Sequence, residues 1–197
     1  MQPTKENDMD RRLLMTGALA SLGLISSGCT TTTSGAVEPA EKRRQLDVSS
    51  TEALARLYAN ARGSRELVAK ARGILVFPSV IAAGLGVGGE FGEGELRIGG
   101  APLSYYSTTS ASLGLQVGAQ SKAVFFLFMT QDSLDRFRAG NGWTAGADAS
   151  VALLKTGANG DIDLTTAQAP VIGFVVTNSG LMANATIEGT KVSRLNL

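Results

Sequence analysis

Three features of this chain of 197 residues could carry chemistry: a glycine-rich stretch, a run of glutamates and a lone cysteine. The stretch GLGVGGEFGEGELRIGG, residues 84–100, satisfies the dinucleotide pattern G-x-G-x-x-G at Gly84, Gly86 and Gly89. Such a turn binds pyrophosphate only when it leads from a strand into a helix, whose N-terminus then receives the phosphates. Here Glu90-Phe91-Gly92-Glu93-Gly94-Glu95 follows, in which two more glycines oppose a helix and three carboxylates repel phosphate. Neither a nucleotide nor a nucleic acid is therefore expected as partner. The chain has no histidine, which removes Ser-His and Cys-His nucleophile activation and imidazole metal ligation. Glu93 and Glu95 share strand parity and Glu90 does not, so the three read as exposed acids of a hairpin. Their spacing fits no calcium loop. The expectation is a protein that is not an enzyme, with no cofactor and no metal.

The cysteine, Cys29, is the only one in the chain, so no intrachain disulfide can form. It follows Asp10-Arg11-Arg12, an apolar run from Leu13 to Ile25, and the small residues Ser26-Ser27-Gly28. This order reads as a secretory signal, and the run is too short for a spanning helix. It resembles a bacterial lipoprotein signal, in which the cysteine becomes the acylated first residue of the mature chain. Arg11-Arg12 before Leu13-Leu14 also resembles a twin-arginine signal. Residues 1–28 are thus expected to be a signal peptide. Residues 29–45, rich in threonine and charge, read as a flexible tether, and residues 46–197 suit one domain. The expected location is the periplasmic side of the outer membrane, held by lipid at Cys29.

Net charge is +1, but its distribution is uneven. Lys42 to Arg72 holds eight basic and three acidic residues, a net of +5; Gly73 to Leu197 holds seven and nine, a net of −2. An anionic surface is the partner that such asymmetry favours. Ser49-Ser50-Thr51-Glu52 has capping-box spacing, and Ala53, Leu54, Leu57, Tyr58 and Ala61 then share one side of a helical period. Gly63 interrupts that helix, and Ser64 is placed to cap a second one ending near Gly73. Arg56, Arg62, Arg65, Lys70 and Arg72 flank the apolar faces, where they can reach lipid headgroups while the stripe packs on the protein's own sheet.

From Ile74 the hydrophobic period becomes two. Ile74-Leu75-Val76-Phe77 reads as a strand ended by Pro78, and Glu93-Gly94 as a turn before Glu95-Leu96-Arg97-Ile98. Glycine alternating with larger residues, as again in Leu113 to Gly118 and Ala145 to Ala152, lets a backbone or ring approach closely or lets a sheet curve. Lys122 to Met129 reads as a central strand, Asp132 to Phe137 as a short helix, and Asn159-Gly160 as a turn. Val171 to Thr177, Leu181 to Glu188 and Thr190 to Leu195 read as a closing antiparallel run. Trp143, Phe125, Phe126 and Phe128 are expected in the core. The fold class is α+β, with amphipathic helices first and then a strongly curved, partly closed antiparallel sheet with one more short helix.

Ordered blocks at Ala69 to Pro78, Gly84 to Gly94, Gly114 to Ser121 and Gly146 to Ala152, with a looser one at Asn178 to Ala183, resemble the SYLF domain family from about Thr51 to Leu195. The resemblance implies a lipid-binding module that is not a catalyst. In fungi and animals the family is associated with phosphoinositides, endocytosis and actin. For this chain it implies affinity for anionic phospholipid, with Arg56, Arg62, Arg65, Lys70 and Arg72 as the lipid-binding residues. The alternative is a structural or adaptor lipoprotein whose sheet edges pair with an envelope protein or a second copy.

Overall fold

A computed structural model describes residues 38–114, 120–154, 168–177, 180–181 and 186–197. Cys29, the signal and the Asn159-Gly160 turn lie outside these residues. The chain opens with helix α1 (Pro39–Asn60) and the short helix α2 (Ser64–Lys70). Then come β1 (Gly73–Ile98), β2 (Ala101–Gly114), β3 (Gln120–Phe128), α3 (Gln131–Ala139), β4 (Gly142–Thr144) and β5 (Val151–Leu153). β6 (Val171–Thr177), β7 (Gly180–Leu181) and β8 (Lys191–Leu195) complete the order.

α1 begins earlier than its sequence suggests. Pro39 sits at the first helical position, where its missing N–H costs nothing. The last seven residues of the expected tether are accordingly helical. Ser49 and Thr51 do not form the expected capping box. Their hydroxyls donate back to the carbonyls of Gln45 and Asp47, four residues earlier, so the helix runs through them. Gly63, with φ +82°, turns the chain between the helices and stands at the N-cap of α2. Ser64 gives no side-chain cap there; its buried hydroxyl faces the Leu57 carbonyl at 3.4 Å.

The strands form one sheet in the order β4-β8-β2-β1-β3-β6-β5, with β7 also on β6, curled into a half-barrel. All pairs are antiparallel except β5 with β6. The long strand β1 organises this curl. Its first part pairs with β3 from Gly73 to Ala82, and its second part pairs with β2 from Gly86 to Ile98. Pro78 does not end the strand but falls where the register shifts between Phe77 and Val80, a place where a proline's missing donor is tolerated. Glu93-Gly94 is not a turn. The chain reverses at Gly99 and Gly100, with φ +60° and +86°, the positive pair that a two-residue hairpin of type I′ demands.

Strand alternation divides the apolar residues into two layers. On the concave face, Leu75, Phe77, Leu96, Tyr106, Phe126 and Phe128 pack with Leu134 and Phe137 of α3, Trp143 of β4 and Val192 of β8. Trp143 meets Phe126 and Phe137 edge-on, with centroids 5.3 and 5.8 Å apart; such pairs add about 0.5–1.5 kcal/mol each beyond burial. On the convex face, Ile74, Val76, Phe125, Leu127 and Phe174 carry Ala53, Leu54, Leu57 and Ala61 of α1 and Leu67 of α2. The helices thus lay their apolar stripes on the protein's own sheet.

Three strand readings change in the structure. Ala145 to Ala152 is a turn around Gly146, at φ +88°, followed by the three residues of β5. Leu181 to Glu188 supplies strand only at its first residue among those described. β6 and β8 do not close together: β8 lies between β4 and β2, on the other side of β1 from β6.

Two glycines of β1 explain the opening motif. A Cβ on Gly94 would stand 2.0 Å from the Val76 carbonyl oxygen and 2.7 Å from the Phe77 ring. One on Gly92 would stand 2.8 Å from a Val80 methyl and 2.9 Å from the Ser79 carbonyl oxygen. The two halves of β1 therefore touch, and only a residue without a side chain fits at Gly94. Gly89 has open space where its Cβ would be. Gly94→Ala should cost about 3 kcal/mol or prevent folding, whereas Gly89→Ala should change stability by less than about 1 kcal/mol. Urea denaturation of both variants checks this, and equal losses would refute the crossing.

Candidate functional site

The basic excess of the N-terminal segment separates into cations the protein holds and cations it leaves to solvent. Lys42 is held: its Nζ lies 2.7 Å from Glu93. Arg44 pairs with Glu41, one turn away, and Arg43 donates to the Leu197 carbonyl at 2.7 Å. Farther on the pairing stops. Arg56, Arg62, Arg65, Lys70 and Arg72 are all exposed, and none forms an ion pair among the described residues.

α2 and its flanks bring four of these five together. Arg62 lies in the link before α2, Arg65 in its first turn, Lys70 at its last residue and Arg72 just beyond. Glu66 is the single acid among them, so the segment 62–72 carries four cations against one anion. Its backbone is fixed at both ends. Ser64 is buried beneath the helix, and the Arg72 amide donates to the Phe128 carbonyl of β3 at 2.8 Å. Arg65 has its own support, with its guanidinium 4.3 Å from the centre of the Tyr58 ring. That contact contributes about 0.5–1 kcal/mol at an exposed site. Arg56 is not part of this group. It lies two residues before Tyr58, about 200° around the helix, and its Nη2 reaches the Pro78 carbonyl at 3.4 Å.

The three glutamates of the opening stretch are not exposed hairpin acids. Each has its own cation: Glu90 with Lys122 at 2.7 Å, Glu93 with Lys42, and Glu95 with Arg97 at 2.6 Å. The physical reason is their position in a strand that other elements cover on both faces. Glu90, in the part of β1 paired with β2, accepts from Ser110 and from Lys122 of β3, while Glu93 and Glu95 point under α1. Among the described residues, no three acidic, cysteine or histidine side chains converge as a metal-ligand set.

The sequence reading missed the centre of this arrangement, Arg97. Its Nε donates to Glu95, and its Nη2 donates to the carboxylate and carbonyl of Asp47 and to the Thr51 hydroxyl at 2.8 Å. One guanidinium thus ties α1 to β1. The available signal was the i, i+2 spacing of Glu95 and Arg97, which puts an acid and a base on the same strand face. Tyr58, read as part of the apolar stripe, is also the platform for Arg65.

The family comparison covers the C-terminal part of the described sheet. Residues 109–196, from within β2 through β8, match the family model described as Ysc84, Las17-binding protein actin regulator. Over these residues the chain is similar to the SYLF family. No curated protein matches the chain. The matched segment holds most of the concave core, and β1, joined along both β2 and β3, carries the helices with the exposed cations.

Glu95 gives this domain a measurable pH signature. Burial, the largest influence, raises its pKa; Arg97 opposes through its hydrogen bond and charge, and Asp47 reinforces. Its Oε2 and the Ser50 hydroxyl have no hydrogen-bond partner among the described residues. The Tyr105 phenol, raised by burial and then by Glu95 itself, stays neutral beside them. A raised carboxyl pKa means that the folded state holds this proton more tightly than the unfolded chain. Glu95 therefore destabilises the fold as pH rises from the ordinary carboxylate value to the raised one. Glu95→Gln removes that dependence. Melting temperatures between about pH 4 and about pH 8 should show the variant gaining on the parent as pH rises. A constant difference would mean that folding leaves the Glu95 pKa unchanged.

Proposed function

We propose that this SYLF domain is a non-catalytic membrane-binding module, presenting α2 and its flanks to anionic phospholipid. The observation that carries the reading is that Arg62, Arg65, Lys70 and Arg72, on and beside a helix that packs Leu67 on the sheet, form no ion pair among the described residues. Cations with internal partners stabilise a fold; cations without them, gathered on one rigid element, suit a negative surface. The apolar residues of α2 stay in the domain, so contact is electrostatic and reversible rather than inserted. Arg56, on another side of α1, takes a lesser part.

The lipid anchor belongs to the same proposal. The chain is read as an exported lipoprotein, acylated at Cys29 and facing the periplasm from the outer membrane. The anchor then provides residence, and α2 selects the headgroup charge of the surface that the domain touches. Pairing through sheet edges, with another protein or a second copy, is the weaker reading. The outermost strands β4 and β5 have three residues each and β7 has two, which gives a partner strand little to bind.

The test uses a Cys29→Ser chain, which cannot be acylated, with vesicles of phosphatidylcholine alone or mixed with phosphatidylglycerol. Binding should need the anionic lipid and weaken as salt shortens the screening length from about 10 Å at 0.1 M to about 3 Å at 1 M. Replacing Arg62, Arg65, Lys70 and Arg72 by Gln should lower affinity roughly 100- to 1000-fold, from about 1 kcal/mol per cation near such a surface. Arg56→Gln alone should change it less than about tenfold. Equal recovery on neutral and anionic vesicles would reject the surface.

A further inference from the structure

Between α1, α2 and the Gly99-Gly100 turn lies a cavity of about 260 Å³. Its walls are mostly apolar, with Leu54 from α1, Val68 and Ala71 from α2 and Ile74 from β1. Tyr58 and Arg97 also line it. Tyr58 and Leu54 are shared with a neighbouring, more open recess of about 480 Å³ lined also by Arg65. The Tyr58 ring, with Arg65 stacked over it, therefore stands at the boundary between an outer and an inner space.

Arg97 is 7% exposed, and its bonds are unevenly distributed. Nε and Nη2 are occupied by Glu95, Asp47 and Thr51. Nη1 has no hydrogen bond to the described residues, yet it is not among the side-chain atoms sealed from all open space. Arg97 lines the cavity, and Nη1 is the nitrogen of its guanidinium left without a partner among the described residues. A guanidinium held by three fixed partners with one nitrogen left open is a preorganised donor in an apolar wall, the arrangement expected of a small-molecule pocket.

Charge decides which ligand suits it. Two carboxylates, the buried Glu95 and the half-exposed Asp47, already lie on Arg97, so an anion entering the cavity would meet their charge beside the guanidinium. A cation would meet the guanidinium itself. A neutral carbonyl oxygen accepts from Nη1 without adding charge. We propose that this cavity binds an uncharged molecule with an apolar body and a single carbonyl acceptor, an acyl ester, with Arg97 as the polar contact and Leu54, Val68 and Ile74 around the chain. The ester can belong to a membrane lipid or to a small free molecule. This site does not rest on the cationic surface of α2, and either can fail without the other.

Calorimetric titration of the full chain with methyl octanoate, octanoate, octylamine and dihexanoyl phosphatidylcholine tests the proposal. Methyl octanoate should bind saturably, one per chain, and at least about tenfold tighter than octanoate or octylamine. Competition by the phosphatidylcholine would identify a lipid's ester as the ligand; its absence, with methyl octanoate bound, would identify a free ester. Ala71→Phe fills the cavity from its apolar wall and should abolish binding. Val68→Phe, at a half-buried position, serves if that variant does not fold. Arg97→Lys retains the charge without the planar fork and should weaken binding about tenfold. The proposal is overturned if neither ester binds saturably, if octanoate binds as tightly as its ester, or if a folded cavity-filling variant binds unchanged.

Discussion

The curl of this domain's sheet depends on the point where β1 touches itself. The Val76 carbonyl lies so close to Gly94 that no side chain fits between them. This contact holds the two parts of a 26-residue strand in one curl. The hydrophobic layers follow from it. The concave face closes around Trp143, Phe126 and Phe137, and the convex face offers Ile74 and Val76 to the helices. A flatter sheet would have neither an enclosed aromatic core nor a corner for α1 to cross.

Electrostatics then fixes what hydrophobic packing leaves free. Apolar side chains set the face that α1 buries, but they tolerate sliding along the helix axis. Arg97, bonded to Asp47 and Thr51 on α1 and to Glu95 on its own strand, specifies one position. Lys42 with Glu93 adds a second tie nearer the start of the helix. A buried ion network of this kind is a modest source of stability, because desolvation offsets much of its attraction. It also separates the chain's cations by role. Those of α1's first turns and of β1 have partners within the chain, and those of α2 form no ion pair among the described residues.

Much of this was legible in sequence. The helical period from Ala53 to Ala61, the break at Gly63, the central strand in Lys122 to Met129 and the short helix after it depend on local patterns, and the structure contains each. The aromatic core was legible because such large rings are seldom left in solvent. Less visible was anything set by two distant segments. Pro78 and Gly94 are breakers by local chemistry, yet both lie within a strand because β3 and Val76 give them tertiary places. Ser49 and Thr51 look like a helix start until the helix is seen to reach back to Pro39, from which Lys42 meets Glu93. The exposed arginines could be named from sequence. Their separation from the paired ones could not, since it depends on where the carboxylates of β1 come to lie.

The placement of β8 has a consequence for how the domain forms. Hairpins such as β1 with β2 join neighbours in the chain, but Lys191–Leu195 pairs with residues 105–109 on one side and with β4 on the other. Bringing such distant segments together carries a loop-closure cost that local hairpins avoid, and contacts of that range slow folding. The concave core, to which Val192 belongs, stays open on one flank until almost the whole chain is available. A partly synthesised or partly threaded chain can hold the β1–β2 hairpin and the helices, but it lacks the strand that covers β2. Completion is therefore a late and collective event, in which the far end of the chain docks between β2 and β4.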